Sequence, residues 1–158
     1  MLNELWAKVS AREKFVAYGA VAVLVGWILG QVLGSSTIGG GNVGGYNIPG
    51  YTINYFGWGN AGALEIIALL AAIVVAVVLY LKVAPNMNIT WPLPVGQILL
   101  GAAAVSLVCG ALATLIQVTN GGNPPILMYV CDVLVVGGGA AMTWFSYQEF
   151  LASKTPVA

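Results

Sequence analysis

Four long apolar runs, separated by polar or glycine-rich stretches, set the pattern of this chain: 15–34, 62–81, 95–118 and 127–151. About 20 helical residues cross the roughly 30 Å of hydrocarbon in a bilayer, so each run is long enough to span it. The pattern predicts an all-α membrane protein, a bundle of four transmembrane helices forming a single tetraspan domain over 1–158. A content of 59% hydrophobic and only 6% charged residues agrees with that class.

The first run is longer than the apolar core of a secretory signal, and a helical segment carrying both charge signs precedes it. It is read as a retained membrane helix. In that preceding segment Leu2, Leu5, Trp6 and Val9 share one helical face, which predicts a short interfacial helix. Ser10-Ala11-Arg12-Glu13 then matches a capping box and places the start of the first long helix near Ala11.

Charge decides the orientation. Lys8, Arg12 and Lys14 precede the first span, Lys82 closes the second and Lys154 follows the fourth, so all five basic residues fall on one side. Basic residues stay cytoplasmic, which predicts that both termini and the connection 83–94 face the cytoplasm of a plasma-membrane protein and that the loop 35–61 lies outside. Trp6, Trp91, Trp144 and Tyr147 would form the inner aromatic belt, and Tyr129 with the loop aromatics the outer one. Trp27 falls within a span, where its indole N–H needs a partner.

Small residues mark the packing faces. Gly26, Gly30 and Gly34 recur every four residues, and Ala102, Ser106, Gly110 and Thr114 form a similar stripe. Such stripes let backbones approach closely, mostly within the bundle and alternatively between copies of the chain. The second span is almost wholly branched and aliphatic beyond Ile66, as expected of a helix facing lipid or a partner.

The outer loop is unusual. Between 44 and 60 it holds the five aromatics Tyr46, Tyr51, Tyr55, Phe56 and Trp58 and no charge. Tyr51, Ile53 and Tyr55 alternate with Thr52 and Asn54, and Tyr46-Asn47-Ile48 lies across Pro49-Gly50, so a hairpin or hooked strand turning at Pro-Gly is expected. A two-stranded unit is marginal in water and an uncharged edge invites pairing. Something must cover it: its own bundle first, a neighbouring protein next, or the membrane surface. The candidate assembly interface therefore comprises Gly26, Gly30 and Gly34 with Tyr46, Ile48, Tyr51, Ile53, Tyr55, Phe56 and Trp58.

Two acids, Glu65 and Asp132, fall inside the predicted spans, both in the outer half and with no basic residue on that side. Intramembrane carboxyls are costly and are candidate functional groups. For Glu65, a place in the first helical turn with access to water is the simpler expectation. Asp132 has Gln117 at a similar level as a candidate partner, and the three residues form the candidate intramembrane polar site.

The absence of histidine removes bis-histidine haem, histidine metal centres and histidine proton relays. Cys109 and Cys131 lack the spacing of a redox pair and read as small buried side chains. No nucleophile and base pair, metal ligand set or cofactor motif emerges, so neither an enzyme nor a cofactor is expected. A net charge of zero gives no reason to expect nucleic acid as a partner. The topology is similar to that of the tight-junction and tetraspanin families, but the outer loops lack those families' cysteine signatures. Two functions remain: a structural or assembly protein that binds lipid and either copies of itself or subunits of a larger membrane complex, and a small cation or proton channel or carrier using Glu65 and Asp132.

Overall fold

The computed structural model describes residues 6–33, 35–54, 62–84, 89–120 and 126–154. Four helices, α1 (Ala11–Leu33), α2 (Gly62–Val83), α3 (Val95–Asn120) and α4 (Ile126–Lys154), are each long and apolar enough to cross a membrane. The chain is a multi-pass membrane protein. Between α1 and α2 lie four short strands, β1 (Ser35–Ile38), β2 (Gly41–Val43), β3 (Tyr46–Ile48) and β4 (Tyr51–Asn54).

α1, α2 and α4 overrun the apolar runs at the ends that carry charge. α1 begins at Ala11 because Ser10 and Glu13 form the expected reciprocal cap: Glu13 N–H donates to Ser10 Oγ at 3.2 Å and Ser10 N–H to Glu13 Oε2 at 2.9 Å. α4 runs for 29 residues, about 43 Å at the helical rise, and so exceeds the hydrocarbon thickness. Hydrophobicity marks only the part of a helix that meets lipid tails, and the flanking turns form on capping and propensity instead.

Contacts between neighbours make every adjacent pair antiparallel. Gly19 meets Gly138 and Met142 while Gly26 meets Cys131 and Val135; Ser106 Oγ donates to Ala68 O at 2.9 Å near the middle of α2 and α3; Gly139 lies on Leu107 and Gly110 on Val135. The helices follow one another around a ring, α1 packing on α2 and α4, and α3 on α2 and α4. Val16, Ala20, Val23, Ala72, Val75, Leu99, Ala103, Met128, Cys131, Val135 and Met142 fill its centre. Val105, Val108 and Leu112 of α3 and Ile67, Leu70, Ile73 and Val77 of α2 face outward. Apolar exposure over that much of each helix belongs in lipid, and it accounts for the aliphatic composition of α2.

The tightest seam is α1 against α4. A Cβ on Gly138 would stand 2.6 Å from the Gly19 carbonyl oxygen, and one on Gly26 would stand 3.0 Å from the Cys131 carbonyl. No side chain fits there. Gly26 and Gly30 are thus buried inside the bundle, with the face of Gly26 taken by α4. Gly34 lies outside the described residues. Cys109 and Cys131 are free thiols, Cys131 buried and Cys109 half-buried.

The end of the bundle opposite the strands carries the ion pairs. Lys82, on the last turn of α2, pairs with Glu13 of α1, whose side chain is 3% exposed. Arg12 donates to the Gln148 carbonyl at 3.3 Å and sits 3.9 Å from Glu149. Residues 6–8 are helical, and Trp6 folds back on α1, its ring 5.7 Å from Tyr18 with the Lys14 ammonium 5.8 Å away.

The glycine seam yields a direct test. Gly138→Ala should lose about 1–3 kcal/mol of stability, because a methyl group must displace the Gly19 backbone. Gly137→Ala, where a Cβ meets nothing within 4 Å, should be neutral or slightly stabilising. Unfolding of both variants in a mild detergent measures the difference.

Candidate functional site

Two features at the strand-bearing end gather the residues that the sequence singles out. The first is the hairpin. β1 pairs with β4 and β2 with β3, both antiparallel, and one register carries through from Ser35↔Asn54 to Val43↔Tyr46. A single long hairpin results, with its turn at Gly44-Gly45. This corrects the expected turn at Pro49-Gly50. Gly44 and Gly45 have φ of 62° and 87°, the values of a type I′ turn, whose twist matches that of the strands it joins. Pro49-Gly50 instead lies opposite Gly39-Gly40, where the ladder breaks. Proline has no N–H to donate, Gly39 and Gly40 have φ of 73° and 98°, and a Cβ on Gly40 would stand 3.0 Å from Gly50 Cα.

Residues 39–42 and 44–50 are all exposed, including Tyr46 at 80% and Ile48 at 49%. The bundle does not cover this part of the hairpin. Tyr51 and Ile53 sit on β4, in register with Ile38 and Ser36. Tyr55, Phe56 and Trp58 lie outside the described residues.

The second feature is a polar layer inside the bundle, just beyond the packing level of Gly26, Ala68, Gly110 and Val135. Glu65, one turn into α2, is 3% exposed and accepts a hydrogen bond from Gln117 Nε2. Asp132, 5% exposed on α4, accepts one from Thr114 Oγ1 at 3.3 Å. Thr114 and Gln117 are three residues apart and so share a face of α3. That face reaches α4 with one residue and α2 with the other. On α1, Trp27 and Gln31 lie four residues apart, and Trp27 Nε1 and Gln31 Nε2 are buried without a hydrogen-bond partner among the described residues.

Two expectations change here. Glu65 is buried rather than open to water at its helix end. Gln117 bonds to Glu65 rather than to Asp132, because depth along a helix does not tell which way a side chain points. Thr114, which ends the small-residue stripe of α3 and stands one turn from Gln117, takes the place at Asp132. The capping motif accounts for Glu13 locally and gives no sign of its pair with Lys82. Opposite charges at adjoining ends of consecutive antiparallel helices were the available signal.

Chemically the layer can bind a positive charge or a hydrogen-bond donor. Among the described residues, no group of three or more His, Cys, Asp or Glu gathers into a metal site. Comparison of the chain with protein-family models, with curated proteins and with solved structures finds no match. The site is therefore read from its own geometry.

Gln117→Leu should cost about 1–3 kcal/mol, since it removes a donor from a buried carboxyl. Thr114→Val should cost less, about 0.5–1.5 kcal/mol, because the bond it removes is long and only part-buried. Thermal unfolding of the two variants beside the parent protein ranks them.

Proposed function

We propose that the protein is an assembly component of the plasma membrane, joining copies of itself or the subunits of a larger membrane complex through its outer hairpin. The observation that carries this reading is the exposure of residues 39–42 and 44–50, a stretch without a single charged side chain. Free strand edges in soluble and membrane proteins are ordinarily guarded by lysine, proline or a covering element. Here Pro49 is the only guard within that stretch. A partner strand added to either edge would satisfy the open N–H and C=O groups and bury Tyr46 and Ile48, and alternate side chains would supply selectivity.

The basic residues support the orientation, with the hairpin outside and the ion-paired end in the cytoplasm. Gly26 and Gly30 drop out of the interface, because the bundle itself buries them. The contact surface is then the hairpin, aided by the lipid-facing side of α2 once neighbouring copies align in the membrane.

Light scattering of the protein in mild detergent, with the detergent contribution subtracted, should give a defined multimer. Tyr46→Lys combined with Ile48→Lys should reduce it to a folded monomer, since both side chains are exposed and neither supports the bundle. A monomeric parent protein, or a variant multimer of unchanged mass, would sink the proposal. On intact cells, a cysteine placed at Asn47 should react with a membrane-impermeant maleimide and one placed at Ser153 should not.

A further inference from the structure

Five buried side-chain atoms capable of hydrogen bonding have no partner among the described residues: Trp27 Nε1, Gln31 Nε2, Gln117 Oε1, Asp132 Oδ2 and Ser146 Oγ. All but Ser146 Oγ belong to the polar layer at the hairpin end, on α1, α3 and α4. Gln117 is 2% exposed and Asp132 5%, so bulk water does not satisfy their free oxygens. Orphaned buried polar atoms are uncommon in native proteins, and where several lie together they mark a place suited to ordered water or an ion.

Charge identifies the class of ligand. Glu65 and Asp132 bring two carboxyls into the low-dielectric interior, and every Lys and Arg of the chain lies toward the other end of the bundle. The Gln117 amide and the Thr114 hydroxyl supply dipoles but no compensating charge. The groups facing the layer from α3 and α4 are oxygens: the Asp132 carboxyl, Gln117 Oε1 and the Thr114 hydroxyl, with the Glu65 carboxyl opposite on α2. An all-oxygen set suits a hard cation. With two carboxyls and no third Asp, Glu, His or Cys gathered beside them among the described residues, the low ligand charge favours a monovalent ion over calcium. On α1, the indole N–H of Trp27 and the Nε2 of Gln31 are donors and do not ligate a cation. As donors they suit the oxygens of water that such an ion keeps.

We propose that the polar layer formed by Glu65, Thr114, Gln117 and Asp132 binds one small, partly hydrated monovalent metal cation, with Trp27 and Gln31 anchoring its water. Gln117 and Thr114 are positioning residues that set the two carboxyls, and Asp132 Oδ2 and Gln117 Oε1 are the open ligand atoms. The site does not depend on whether the hairpin assembles the protein.

The test uses the purified chain in mild detergent at constant pH and ionic strength, with choline chloride replaced stepwise by sodium or potassium chloride. A ligand that binds only the folded state raises its melting temperature. Sodium should raise it saturably by about 3 °C or more relative to choline. Asp132→Asn should abolish the rise, and Thr114→Val should shift it to higher salt. If Asp132→Asn does not fold, sodium-23 line broadening by the parent protein, relieved by lithium, reads the site without a variant. Equal melting temperatures in sodium, potassium and choline would overturn the proposal. So would stabilisation by acid alone with choline as the only salt, which would make the ligand a proton.

Discussion

Backbone-to-backbone contact between α1 and α4 is the constraint on which the rest of this bundle depends. In lipid the hydrophobic effect gives helices little reason to associate, so dispersion between closely approached surfaces must do it. Gly19, Gly26 and Gly138 remove the side chains that would hold the two helices apart. The first and last helices are thereby joined, and the ring closes with α2 and α3 on its other side. Closure turns Glu65, Asp132 and Gln117 inward, where the two carboxyls meet polar groups of a neighbouring helix rather than lipid.

Polar interactions divide between the two ends and differ in kind. At the end with the basic residues, full charges meet full charges across helices: Glu13 with Lys82 and Arg12 with Glu149. These pairs lock the helix ends in place where headgroups and water reach them. At the hairpin end, carboxyls meet an amide and a hydroxyl. The first arrangement pairs opposite charges, and the second sets carboxyls against neutral hydrogen-bond donors.

The four spans and the cap at Ser10 were legible from hydrophobic runs and a local motif, because both depend on residues close together in the chain. The presence of a hairpin was legible from alternation, but its turn was not, since Pro-Gly and Gly-Gly both favour turns. The contest is settled by twist, and twist favours the primed turn at Gly44-Gly45. Glu65 and Asp132 were legible as intramembrane acids, and their depth followed from counting residues. Their partners did not, because the choice between Gln117 and Thr114 depends on the rotation of α3 about its axis. That rotation is set by Ser106 on Ala68 and Gly110 on Val135, contacts between residues far apart in sequence.

The break in the hairpin has a mechanical meaning. Gly39-Gly40 and Pro49-Gly50 face each other and divide the ladder into a base, β1 with β4, and a tip, β2 with β3. Each piece keeps its own hydrogen bonds, so bending at the break sacrifices none. The hairpin behaves as two stiff links and a joint. A tip mounted in this way can change its angle to the membrane while the four helices stay still, much as a hand turns at the wrist.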